Sequence, residues 1–87
     1  MEAQAIRTQR DDDARQFIEI AIARRKDEFA LSQVVWTADY GYILKFRLGG
    51  VDVVRTAVDM LVFEEPPWRM DRMLDGVRLT FKALALV

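Results

Sequence analysis

The sequence predicts an α+β fold: a three-stranded antiparallel meander with an N-terminal and a C-terminal helix packed on one face, in the order α-β-β-β-α. Three observations carry this. Apolar residues recur at helical spacing before residue 30 and after residue 66. They alternate with period two between 32 and 48. Turn residues break that alternation at Asp39-Tyr40-Gly41 and Gly49-Gly50.

The first helix is expected from about Asp12 to Phe29. Asp11, Asp12 and Asp13 would cap its positive end, and Arg24, Arg25 and Lys26 would suit its negative end. Ala14, Phe17, Ile18, Ala21, Ile22 and Phe29 form one apolar stripe, with Ile20 and Ala23 off it. Residues 1–10 are expected either as a frayed end or as a helix extension that needs a partner.

Residues 32–38 and 42–48 read as a hairpin around Asp39-Tyr40-Gly41. That loop sets Ala38 against Tyr42, Trp36 against Leu44 and Val34 against Phe46, so one face is wholly apolar. The other face pairs Thr37 with Ile43, Val35 with Lys45 and Gln33 with Arg47. A slip of one residue would mix the faces. Gly49-Gly50 then suits a two-residue primed turn, pairing Leu48 with Val51, Phe46 with Val53 and Arg47 with Asp52. A three-residue turn would instead put Lys45 opposite Arg55, a like-charge clash. Strand is expected over 51–56, and residues 57–63 fit strand or helix.

Glu64-Glu65-Pro66-Pro67 breaks the chain, and Pro is tolerated at a first helical turn. The final helix is expected over about Pro67 to Leu84, with Met70, Met73, Leu74, Val77, Phe81 and Leu84 on its stripe and Leu79 off it. A terminal strand from Val77 is the alternative.

At 87 residues the chain is read as one small domain. It buries only roughly 60–65% of its unfolded surface, and with 52% hydrophobic residues it shows apolar groups to solvent or to a partner. There are 13 basic and 14 acidic residues, and no third of the chain holds a basic excess, which weighs against nucleic acid as the partner. Ten of the basic residues are Arg, which hints at a GC-rich bacterial or phage genome. No run approaches a membrane span and no apolar signal core begins the chain, so the expectation is cytoplasmic.

The chain has no cysteine and no histidine. That excludes disulfides, zinc–thiolate sites, Cys-His and Ser-His-Asp catalysis. No catalytic, cofactor or metal motif is found, and the expectation is a non-enzyme. Asp11-Asp12-Asp13 reads as a capping cluster rather than a cation site, because three consecutive helical carboxylates cannot converge on one ion. Glu64-Glu65 beside Trp68 reads as a solvated loop rather than an acid/base pair. Met70 and Met73 read as core.

The α-β-β-β-α order is similar to that of double-stranded-RNA-binding domains. The basic cluster those domains carry at the start of the last helix is not matched, since the chain here reads Pro66-Pro67-Trp68-Arg69-Met70-Asp71-Arg72.

The expectation is therefore a protein-interaction module, homodimeric or docked on another protein: a small regulator or inhibitor, for instance a phage-type anti-defence protein such as an anti-CRISPR. Its contact surface would comprise Val35, Ile43, Lys45, Arg47 and Val54 on the outer sheet face, with Trp68, Ile20 and Leu79 from the helices. The first alternative is nucleic-acid binding by that outer face through Lys45 and Arg47. The second is a ligand or enzyme site between protomers, built from Glu64, Glu65 or Asp59.

Overall fold

Two glycine-bearing reversals fold residues 30–57 into a meander, and two helices close over one side of it. The computed structural model describes residues 2–57 and 67–86, with the side chains of 10–57 and 69–86. Helix α1 spans Glu2–Arg25, strands β1, β2 and β3 span Ala30–Thr37, Gly41–Leu48 and Val51–Ala57, and helix α2 spans Pro67–Ala83. The strands lie in the order β1-β2-β3, each antiparallel to its neighbour. The expectations for residues 58–63 and for Asp59, Glu64 and Glu65 fall outside the described residues.

Helix α1 is longer at its start and shorter at its end than the sequence predicted. It begins at Glu2, so Asp11, Asp12 and Asp13 are interior residues and cap nothing. Residues 2–10 extend the helix rather than fray. It ends at Arg25 because Lys26 turns left-handed, at φ 59. The Asp27 N–H then donates to the Ile22 carbonyl and the Lys26 N–H to the Ala23 carbonyl, both at 3.1 Å, which is a Schellman termination. Phe29 therefore lies past the helix, in the link to β1, yet its ring is buried. Helix α2 ends the same way. Ala85 sits at φ 61 while Leu86 N–H donates to the Phe81 carbonyl and Ala85 N–H to that of Lys82. Leu84 lies beyond the helix and is exposed. Val77 is inside α2, which removes the terminal-strand alternative.

The second hairpin has the expected register. Leu48 pairs with Val51, Phe46 with Val53 and Arg47 with Asp52 across Gly49 and Gly50. Those glycines lie at φ 58 and 78, the two positive values a type I′ turn needs.

The first hairpin is displaced by two residues from the expected pairing. Trp36 faces Tyr42, Val34 faces Leu44, and Thr37 faces Gly41 across an Ala38-Asp39-Tyr40 loop. A shift of two keeps every side chain on its face, so apolar alternation cannot tell the two registers apart. Turn chemistry decides: the Thr37 hydroxyl accepts from the Tyr40 N–H at 3.1 Å and donates to the Gly41 carbonyl at 3.0 Å, and Gly41 takes φ 74. A bulge between Leu31 and Gln33 then restores Leu31 to the apolar face, opposite Phe46.

One core lies between the sheet and the helices. Ala14, Ile18 and Ala21 from α1 and Met70, Leu74, Val77 and Phe81 from α2 cover Leu31, Val34, Tyr42, Leu44, Phe46, Val53 and Ala57. Phe29 joins them, edge-on to Phe46 at 5.5 Å between ring centroids and tilted on Phe81 at 5.7 Å. Phe17, expected on the α1 stripe, is 38% exposed, and Met73 of α2 is only half-buried.

Both outer strands have edge carbonyls held by arginine. At the β1 bulge, Arg15 of α1 donates to the carbonyls of Leu31 at 3.1 Å and Ser32 at 3.3 Å. In β3 the backbone of Asp52, Val54 and Thr56 points away from β2, given the two-residue turn. Arg55 donates to the Val54 carbonyl at 3.0 Å and to Thr80 Oγ1 of α2 at 2.6 Å. The Thr80 hydroxyl in turn donates to the Gly76 carbonyl at 2.9 Å.

Candidate protein-contact face

Alternation along the strands places a second set of side chains on the side away from the helices. Register aligns them in rows: Val35, Ile43 and Thr56; then Gln33, Lys45 and Val54; then Ala30, Arg47 and Asp52. Cross-strand neighbours in such rows stand about 5 Å apart. The five outer-face residues expected from sequence, Val35, Ile43, Lys45, Arg47 and Val54, are thus contiguous. Val54 is 49% exposed, Gln33, Arg47 and Thr56 are exposed, and the remaining side chains of the first two rows are half-buried among their neighbours.

The charges on this face are unequal in freedom. Arg47 Nε lies 3.7 Å from Asp52 Oδ1, an exposed cross-strand pair. Lys45, in the middle row of the middle strand, has no hydrogen-bond or ion-pair partner among the described residues. Register sets Lys45 two residues from Ile43 along the strand and opposite Val54 across it, and the residue is half-buried. The aromatics Trp36, Tyr42 and Phe46 belong to the helix side. Arg10 stacks over the Trp36 ring at 4.6 Å, which shields it at the hairpin end of α1.

Two of the helical residues expected in the contact surface, Ile20 and Leu79, lie apart from this face. Both helices pack on the other side of the sheet, so Ile20 and Leu79, 61% and 64% exposed, extend no continuous patch with Val54. Ile20 borders an apolar groove of about 190 Å³ with Phe17, Ala21, Arg24 and Met70. Leu79 sits in a charged depression with Glu28, Asp75, Arg78 and Lys82. The Trp68 side chain lies outside the described residues.

Sequence reasoning missed an ion-pair node behind the helices. Arg25 donates from Nε to Asp27 Oδ2 at 2.8 Å, from Nη2 to Asp75 Oδ1 at 2.6 Å and from Nη1 to the Asp71 carbonyl at 3.2 Å. Burial disfavours its charge, but the bonds to Asp27 and Asp75 more than offset that, and its pKa moves up. The node fastens the end of α1 to α2. Adjacent basic residues at a helix end gave no hint of it, because only Asp27 is a near neighbour in sequence, while Asp71 and Asp75 lie 46 and 50 positions away. The edge-closing Arg55 did leave a signal, a single charge between Val53 and Ala57 on the apolar side of an outer strand.

Burial holds the Tyr42 phenol above its ordinary value of 10.0; Arg10 opposes this and Asp11 and Asp13 add to it. The unfolded chain therefore loses that proton first, and stability falls as pH rises past about 10 until the folded phenol ionises too. Urea midpoints measured across alkaline pH should drop less steeply for Tyr42→Phe than for the parent. Equal slopes would show that burial of the phenol contributes nothing.

Among the described residues no group of three or more His, Cys, Asp or Glu is placed to hold a metal ion, and no helix is long and apolar enough to cross a membrane. Comparison with known protein families, curated proteins and solved structures finds no match.

Proposed function

We propose that this chain is a non-enzymatic binding module that engages a protein partner through the outer face of its sheet, as a small regulator or inhibitor does. The observation that supports this is the contiguous aliphatic group Val35, Ile43 and Val54 around Lys45, uncovered by either helix. A sheet of this size buries one face against its helices, and mixed aliphatic and basic side chains on the other suit a protein contact. Nucleic-acid binding has weaker support: Arg47 is engaged by Asp52, Lys45 is the one cation of the face left without a partner among the described residues, and the aromatics lie on the helix side.

Comparative capture tests the reading. Val54→Glu changes an exposed position and should leave the unfolding curve within about 0.5 kcal/mol of the parent. Proteins retained from host lysate by the parent after chemical cross-linking, which holds weak contacts, should be lost by Val54→Glu and kept by Asp39→Ala, an exposed change on the hairpin loop. Identical retention by all three chains, or none by any, overturns the proposal.

A further inference from the structure

We infer that the outer face is built for a different protein and not for a second copy of this chain: its partner presents an aliphatic surface carrying a carboxylate that meets Lys45. This rests on the binding role proposed above and specifies the partner's chemistry.

The placement of charge carries it. Lys45 stands in the middle strand with Gln33 and Val54 beside it and Ile43 and Arg47 two residues away on the same face. Because Asp52 is near Arg47, the described residues of the face carry one uncompensated positive charge, Lys45, and it stands at the centre of the three rows. A closed pair of identical chains is two-fold symmetric, so residues near the axis meet their own copies. Pairing centred on this face would press Lys45 against Lys45 while stripping water from both, and like charges brought together in that way repel strongly. A carboxylate at the same place converts the penalty into a charge-assisted hydrogen bond, with Ile43 and Val54 beside it limiting the access of water.

Extent sets the strength. Three strands about 4.8 Å apart and three rows of residues give a face on the order of 300 Å². That is well below the roughly 800 Å² per partner of a stable interface. Contact through this face alone is therefore weak, and millimolar NMR is the suitable measurement.

The chain itself can supply the probe, since Lys45→Glu turns the same aliphatic face acidic. Amide signals of Val35, Ile43 and Val54 in labelled parent should shift saturably when unlabelled Lys45→Glu is added. Each chain alone should bind itself about ten-fold more weakly than the mixture. Lys45→Leu, with the central charge deleted, should self-associate through the same signals. If the parent alone self-associates through Val35, Ile43 and Val54 as strongly as the mixture, the assignment of a different, acidic partner is overturned while the docking face stands. If neither the mixture nor Lys45→Leu moves those signals, the face docks nothing apolar and the proposed binding role falls with it.

Discussion

Phe46→Ala is expected to remove about 3–5 kcal/mol of stability, enough to unfold much of the population at room temperature. Phe46 is fully buried in the middle strand, and its ring meets the edge of Phe29, which in turn leans on Phe81. These three rings come from β2, the α1–β1 link and α2, so one truncation loosens all three layers. A chain of 87 residues has a total stability of about 4–13 kcal/mol at the usual value per residue, so the loss is comparable with the whole. Urea denaturation followed by circular dichroism reads it directly. A loss under about 1 kcal/mol would mean that the aromatic contact does not hold the layers together.

Arg25→Met should cost about 3 kcal/mol or more, for a different reason. The Asp27 side chain is 2% exposed, and without the guanidinium its carboxylate is left buried and unpaired. The neighbouring Arg24 gives a control. Its pair with Asp71, at 2.6 Å, joins groups that are 52% and 39% exposed, so Arg24→Ala should cost less than about 1 kcal/mol. Adding Asp27→Asn to Arg25→Met should recover part of the loss, because a neutral amide is cheaper to bury than a lone carboxylate. No recovery would assign the cost to lost packing of the arginine stem instead.

Element order and the second hairpin were legible in the sequence because local chemistry decided them. Two adjacent glycines accept positive φ, and the Arg47–Asp52 pairing agrees with that turn. The first hairpin was legible only by face. Alternation fixes which side chains point inward, but a two-residue displacement leaves that pattern intact, and the Thr37 hydroxyl that selects the observed loop acts across the turn it closes. Helix ends were hidden because both α1 and α2 stop at non-glycine residues, Lys26 and Ala85, in a conformation that glycine usually marks. The outer face emerged from strand alternation alone, whereas the location of Ile20 and Leu79 was not legible: leaving a helix stripe says that a residue is outside, as both are, not which side of the molecule it reaches.

The arginines at the sheet margins bear on how this chain behaves when concentrated. A short sheet with unpaired margins seeds lateral polymerisation, since each arriving strand presents a fresh margin to the next. Here an arriving strand would have to prise guanidinium groups from the carbonyls of Leu31, Ser32 and Val54, and at one margin break the tie to Thr80 as well. Growth into fibres is thereby obstructed at those carbonyls, so a concentrated solution of this chain should stay free of polymers built by strand addition.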